Sequence, residues 1–313
     1  MNNVLSSGLI LFNKKPGVTS FDALRDIKRV LGTGKVGHTG TLDKFAQGLL
    51  IVLTGKALKL SQWFTNCDKQ YIGKIKFGIE TDTLDPEGLE VAKADLPSQE
   101  KVQQVLKQFT GNILQEPPVF SAIHVNGKRA SDLTRSGLTP QMKKRPVTIY
   151  EIKLLNWEPP FAQIFVHCSS GTYIRSLARD IAIAAGTRAH LCELTRTQVA
   201  GFKLDNNLIH TEAQRHKEHG GRENKGFNIR IIDKKVITSL GIPWFDINAD
   251  EVKQVIHGKP LYPILNKKNI INSVSPCPRV NSFPNQAVAI FCDETLIAII
   301  ENKDGKWKYG CVM

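Results

Sequence analysis

Residues 37–55 read GHTGTLDKFAQGLLIVLTG. A small-residue turn leads to a lone carboxylate, Asp43, and then to the apolar run Leu49-Leu50-Ile51-Val52-Leu53. The run has strand length and β-branched content, and Thr54-Gly55 ends it. The stretch therefore predicts a polar loop with one acid, anchored by a buried strand. That arrangement suits a reactive group at a pocket mouth. It equally suits an aspartate that caps a short helical turn, so both roles of Asp43 are open at this level.

Upstream, residues 8–13 (GLILFN) read as a strand and Lys14-Lys15-Pro16-Gly17 as a turn. Thr19 or Ser20 is a good N-cap for the helix FDALRDIKRVLG, whose Leu24, Ile27, Val30 and Leu31 recur at helical spacing before Gly32 stops it. Downstream, KALKLSQWF is a short helical stretch, and YIGKIKFG alternates, with Tyr71, Gly73, Ile75 and Phe77 on one face. Tyr71 then points inward, either into a site or as a core tyrosine with a bonded hydroxyl. The acidic segment 81–88 (TDTLDPEG) lacks the ligand spacing of a calcium loop and reads as a solvated turn. Ser98 caps a helix with Val102, Val105, Leu106 and Phe109 on one face.

Between Ser121 and Tyr150 the composition shifts. Lys128, Arg129, Arg135, Lys143, Lys144 and Arg145 stand against Asp132, a net +5. This is either an insertion that reaches out to phosphates or a flexible basic loop. VTIYEIKLLNWE and QIFVHCSS are further strands, and TYIRSLARDIAIAAG is a helix with Thr172 as N-cap and Gly186 as stop. Arg175 falls in its first turn, off the apolar face. The macrodipole disfavours a cation there, so a compensating anion is expected nearby. Residues 205–228 read as a linker or mobile loop, and its His210, His216 and His219 have no organising face for a metal. From Asn228 a small β domain is expected, with Asp293-Glu294 turning a hairpin.

The chain has 313 residues, with 42 Lys and Arg against 29 Asp and Glu, a formal +13. Such a balance suits a polyanionic partner, most simply nucleic acid, and equally a basic but uninvolved surface, and charge alone does not choose between them. No leader and no long apolar run is evident, which points to a cytoplasmic protein with no membrane span. Cysteines 67, 168, 192, 277, 292 and 311 show no C-x-x-C spacing, so neither a zinc site nor a disulfide framework is indicated.

Taken in order, these motifs resemble the bacterial tRNA pseudouridine-55 synthase family (TruB type) over nearly the whole chain. GHTGTLD with A-x-G-L-L resembles the family's catalytic-aspartate motif, and DKQYIGKIKFGIETDTLDPEG its tyrosine strand and acidic turn. PPVFSAIHVNGKRA resembles the start of its basic thumb insertion, CSSGTYIRSLARDI its arginine motif, and AHLCELTRTQVAGF the segment that follows. The sequence departs from the pattern at Lys15 and Lys44, where prolines are usual, at Phe120 for tyrosine, and at Thr195 for arginine. Lys44 frees the backbone and adds a cation beside Asp43, which either lowers the carboxylate's pKa or touches phosphate.

The resemblance implies an α+β fold: a mixed, mainly antiparallel sheet flanked by helices, with a thumb at about 121–150. Residues 1–227 would form the catalytic domain and residues 228–313 a small PUA-like RNA-binding β domain. A chain ending near Arg230 is then expected to fold. The implied activity is isomerisation of uridine to pseudouridine at position 55, in the T-arm loop of tRNA, with no metal or organic cofactor. Asp43 would be the catalytic carboxylate, attacking the sugar or removing a sugar proton. Arg175 would keep it ionised and oriented. Tyr71 would stack on the flipped-out base and assist its final deprotonation, His38 would fill the space the base leaves, and Leu194 would pack against the pocket. Lys14, Lys128, Arg129, Lys143 and Lys144 would bind RNA. The implied partner is the tRNA T-arm stem-loop, with no protein partner required and a monomeric enzyme. The alternatives are a pseudouridine synthase for another RNA, or an RNA-binding protein without catalysis. The latter needs none of Asp43, Tyr71 and Arg175.

Overall fold

The computed structural model describes residues 7–203, 214–215, 225–267 and 286–313. Strand β1 is Gly8–Lys14, helix α1 Ser20–Leu31, β2 Val36–His38 and β3 Gln47–Thr54. A 3-10 segment, Gly55–Leu60, runs into α2, Ser61–Thr65, and then into β4, Lys69–Phe77. The ladder β5 (Ile79–Thr81) with β6 (Glu90–Lys93) carries the acidic turn, and α3 (Gln99–Leu106) and β7 (Gly111–Gln115) follow. A small hairpin, β8 (His124–Val125) with β9 (Lys128–Arg129), leads into α4, Ala130–Arg135. The body closes with β10 (Arg145–Glu158), β11 (Phe161–Cys168), α5 (Ile174–Ala184), β12 (Ala189–Val199) and β13 (Phe202–Lys203).

Among the described residues the main sheet runs β1-β3-β12-β4-β11-β10-β7, with β2 on β3 and β13 on β12. The β3–β12 pair is parallel and the others are antiparallel. The two halves of the sheet explain their own sequences. Strand β3 is covered on both faces: Leu49, Ile51 and Leu53 enter one apolar cluster, Leu50 and Val52 another under α1. A strand buried on both sides reads as a continuous apolar run. Strand β4 is covered on one face only, so it alternates: Lys69, Tyr71, Gly73, Ile75 and Phe77 are buried. Helices α3 and α5 supply that cover through Val102, Val105, Leu177, Ala178 and Ile181. Thr19 caps α1 by accepting from Asp22 N, and Gly32 ends it in the left-handed region.

Three expectations are corrected. Thr172 does not cap α5; its hydroxyl donates to Ser169 O at 2.9 Å. The amide of Gln115 in β7 grips the helix start instead: its Oε1 accepts from Tyr173 N (2.8 Å) and its Nε2 donates to Tyr173 O (3.1 Å). Segment 81–88 is only partly a solvated turn: Asp82, Pro86 and Glu87 are exposed, but Thr81, Leu84 and Asp85 are buried, Asp85 to 5% exposure. The basic insertion ends at 144, since β10 begins at Arg145 and pairs there with β7. Inside the insertion, Asn126 (φ 51°) and Gly127 (φ 82°) join β8 to β9. Two left-handed residues are what a tight hairpin of this length needs. His210, His216, His219 and most of stretch 205–228 lie outside the described residues.

A two-residue ladder joins β14 (Gln214–Arg215) to β15 (Lys225–Gly226). The last part contains α6 (Lys234–Ser239), β16 (Trp244–Asp246), α7 (Ala249–Ile256), α8 (Tyr262–Lys267), β17 (Ala287–Cys292), β18 (Thr295–Lys303) and β19 (Lys306–Val312). Its four strands form a second sheet, β16-β17-β18-β19. Asp293, at φ 52°, turns the expected hairpin, whereas α6, α7 and α8 were not legible from the sequence.

The two sheets share a core. Trp63 and Phe64 on α2 enter one cluster with Leu9, Leu49 and Ile51 from the main sheet and with Ala289, Phe291 and Ile299 from the second. A side chain at Gly310 would meet the Trp63 ring at 2.9 Å, so only glycine admits this approach. Lys59 Nζ donates to Val312 O at 2.6 Å, and Gln62 to Glu301 at 3.3 Å. This continuity argues against an independent fold for a chain ending near Arg230. Uncovering a buried Trp face removes about 4–6 kcal/mol of apolar burial. Such a truncation is expected to melt at least about 10 °C below the full chain, or to aggregate. A truncated chain melting with the full one in a thermal scan would show the core to be divisible.

Candidate active site

The Asp43 loop is pinned from below by the start of α1 and by β1. Ser20 Oγ donates to Leu42 O (3.0 Å) and accepts from Leu42 N (2.9 Å). Lys14 is fully buried, and its ammonium donates to the carbonyls of Lys15 (3.1 Å), Val18 (2.6 Å) and Lys44 (3.3 Å). That cage overturns its assignment to RNA: Lys14 holds the loop and has no open face for a phosphate. The Lys44 side chain turns away from Asp43 and pairs with Glu87 at 3.0 Å.

The Asp43 carboxylate accepts from Arg175, and from no backbone N–H among the described residues. Its main-chain oxygen takes Ala46 N at 3.2 Å. The carboxylate is therefore not acting as a cap. Arg175 Nη2 donates to Asp43 Oδ1 at 3.2 Å, and Nε lies 3.0 Å from Oδ2 without hydrogen-bond alignment. On its other side Arg175 Nη1 donates to Asp85 Oδ2 (3.1 Å) and Thr83 O (2.8 Å), while Nη2 also reaches Phe120 O (3.0 Å). The anion expected near this helix start is thus two carboxylates. Leu84, between Thr83 and Asp85, sits at φ 61°. Bulky residues rarely adopt that conformation, and here it aims both neighbours at Arg175.

Asp43 keeps 37% of its side-chain surface, and that surface lines a cavity of about 530 Å³. Burial pushes its carboxyl above the ordinary aspartate range; Arg175 pulls the other way and Asp85 adds to the rise. Tyr71 and Leu194 line the same cavity, as do Phe120, Tyr173 and two cations that sequence reading passed over, Lys69 and Arg196. Burial pushes the Tyr71 phenol up to about 12, against the pull of the nearby Arg196 guanidinium. His38 is not among the lining residues. It sits behind the loop at the end of β2, where Nδ1 accepts weakly from Gly40 N (3.4 Å) and burial lowers its pKa.

The parallel β3–β12 pairing brings Leu194 and Arg196 to Asp43. It requires Gly48: a Cβ there would stand 2.4 Å from Arg196 O, and its φ is 105°. Lys69 could have been found by extending the β4 alternation one step back from Tyr71. Asp85 carried no such signal, because its partner lies 90 residues away. Of the basic insertion, Lys128, Arg129, Lys143 and Lys144 are all exposed. Arg129 and Arg135 reach the cavity itself.

Residues 28–174 match the family model "TruB family pseudouridylate synthase (N terminal domain)". A relative named tRNA pseudouridine synthase B from Treponema denticola is 44% identical, with 99% of each chain covered. One of the same name from Francisella philomiragia is 42% identical over 97% of this chain and 94% of its own. Among solved structures, that of a Cbf5-Nop10-Gar1 complex matches with TM-score 0.64 and 27% identity, covering 94% of this chain and 78% of that one. An H/ACA RNP bound to a substrate RNA containing 2'-deoxyuridine matches at 0.62 and 26%, covering 94% and 77%. An aspartate held by a buried arginine beside a cavity tyrosine, carried on this sheet and joined to full-length identity at that level, places the chain in the TruB family of pseudouridylate synthases.

Proposed function

We propose that this chain isomerises uridine to pseudouridine at position 55, in the T-arm loop of tRNA. The observation that carries the reading is the Asp43–Arg175 pair opening into a cavity walled by Tyr71 and cations. The reaction breaks the bond from the base nitrogen to the sugar, turns the base, and joins a base carbon to the same sugar carbon. The proton on that carbon must then leave. Asp43, its carboxylate partly open to the cavity, is the group that acts on the sugar, by attack or by taking a sugar proton. Arg175 fixes its orientation. Because Asp85 also holds Arg175, the cation stays in place when Asp43 changes charge. Tyr71 stacks on the extruded base. Its high pKa means it serves as a neutral hydroxyl that relays the final proton, not as a standing phenolate. The cavity is open on one side, so the bound RNA itself must cover the detached base if solvent is to be kept from it.

The division into a catalytic part at 1–227 and a small RNA-binding domain at 228–313 belongs to this proposal, as do a monomeric state and work in the cytoplasm. Among the described residues no helix is long and apolar enough to cross a membrane. The direct test is to incubate the full chain with an unmodified tRNA transcript and map pseudouridine chemically. Product at position 55 is expected; its absence, with product only in another RNA, overturns the substrate assignment.

The insertion makes its own prediction. Neutralising Lys128, Arg129, Lys143 and Lys144 together is expected to weaken tRNA binding and flatten its salt dependence. Each lost contact lowers the logarithmic slope by about 0.7 on single-stranded RNA or 0.9 on duplex. An unchanged slope in a salt titration would remove the insertion from the interface.

A further inference from the structure

Lys69 and Arg196 are 8% and 2% exposed, and both line the cavity that Asp43 opens into. Neither forms an ion pair among the described residues. Lys69 Nζ donates to Thr65 O (3.0 Å) and Cys67 O (2.6 Å), and Arg196 to Leu49 O (2.7 Å) and Gly40 O (3.0 Å). Carbonyls satisfy hydrogens but bring no countercharge. The nearest acid in sequence to Lys69, Asp68, is already bound to His167. Two buried cations without an anion carry a large desolvation penalty, and these two also repel each other. That repulsion, after burial, helps lower Lys69 to about 8.

The two side chains meet at Gly40. A Cβ there would lie 3.5 Å from Arg196 Nη1 and 3.8 Å from Lys69 Cε, and Gly40 itself lines the cavity. The bare glycine leaves a recess with cations on two sides. It lies on the cavity wall that Tyr71 also lines, and neither cation shares in the ion pairs that Arg175 makes with Asp43 and Asp85. The arrangement lacks one thing, an anion supplied with the substrate.

We infer that Lys69, Arg196 and the Gly40 recess form a subsite for one backbone phosphodiester of the RNA, next to the extruded nucleotide. The inference rests on the proposed RNA substrate and goes beyond it, because it assigns two residues outside the reacting pair. A phosphodiester bears a single negative charge and two free oxygens, one for the ammonium and one for the guanidinium. Seated there, it removes the repulsion between the two cations and draws the flanking sugar toward Asp43. Lys69 and Arg196 are thus positioning residues.

The test uses the full chain and T-arm hairpin RNAs in which each loop linkage in turn is an uncharged methylphosphonate. In wild type one linkage, adjacent to the target uridine, is expected to lower affinity by about tenfold or more, as for a lost hydrogen bond to a charged group. In Lys69→Met the same linkage is expected to matter by less than about twofold, because its partner is already gone. Lys69→Gln, which keeps donors for the Thr65 and Cys67 carbonyls, guards against misfolding and is expected to behave like Lys69→Met. The inference is overturned if no linkage is special in wild type, or if that linkage costs the variants as much as wild type. Conversion of the unmodified hairpin by wild type reports separately on the isomerase reading. Binding without product would sink that reading and leave the phosphate coupling to be judged on its own.

Discussion

Asp43→Asn is expected to fold and bind tRNA like the wild type and to lose activity by at least ~10³, equivalent to about 4 kcal/mol in the barrier. Asparagine keeps the size of the side chain and an oxygen for Arg175, and Arg175 keeps its bonds to Asp85, Thr83 and Phe120. The ion network therefore loses one member without collapsing. Affinity should change little, since a carboxylate near phosphates contributes mainly repulsion. Burial raises the carboxyl pKa, so wild-type activity should climb with pH through a range above that of an ordinary aspartate. Stability has the opposite sense. The unfolded chain gives up this proton first, so between the ordinary and the raised value the folded state binds more protons. Stability from this group then falls as pH rises. Single-turnover conversion, melting temperature and tRNA affinity, measured on one preparation, check the whole expectation. A folded, binding-competent Asn variant that converts uridine near the wild-type rate would refute the role given to Asp43.

Tyr71→Phe is expected to keep affinity within roughly 1 kcal/mol and to lower product formation by about 10² or more, the range of a lost proton-transfer group. The ring stays in its slot on β4, where alternation points it into the cavity between Lys69 and Gly73. Only the hydroxyl is removed, and Arg196 keeps its bonds to Leu49 O and Gly40 O. Turnover and binding measured side by side separate stacking from proton transfer. Wild-type turnover in the variant would mean that the hydroxyl takes no part.

What the sequence disclosed was periodic or local. The continuous run of β3, the alternation of β4 and the cap and stop of α1 each follow from residues within one element, and each was legible. Asp43 was left between cap and reacting group by its local stretch, and only the resemblance of the motifs in order assigned it the reacting role. What stayed hidden depends on partners far along the chain. Lys14 looks like a surface cation until carbonyls from Val18 and Lys44 close over it. Asp85 looks solvated until Arg175 arrives from α5. Thr172 looks like a cap, yet Gln115 takes that place from another strand. Lys44 looked set either to act on Asp43 or to touch phosphate, and Glu87 claims it. In each case tertiary contact overrode a sound local preference.

Strand β12 lies between β3 and β4 in the sheet, although it is made long after both. Until it emerges from the ribosome, the nascent chain has two strands whose facing edges are unpaired, and such edges invite pairing with other chains. The cavity also lacks Leu194 and Arg196 until then. Activity must therefore await the late insertion of a central strand, a non-local closure of the kind that folds slowly. Substitutions on β12 should accordingly lower the yield of soluble protein during synthesis more than they lower the stability of molecules already folded.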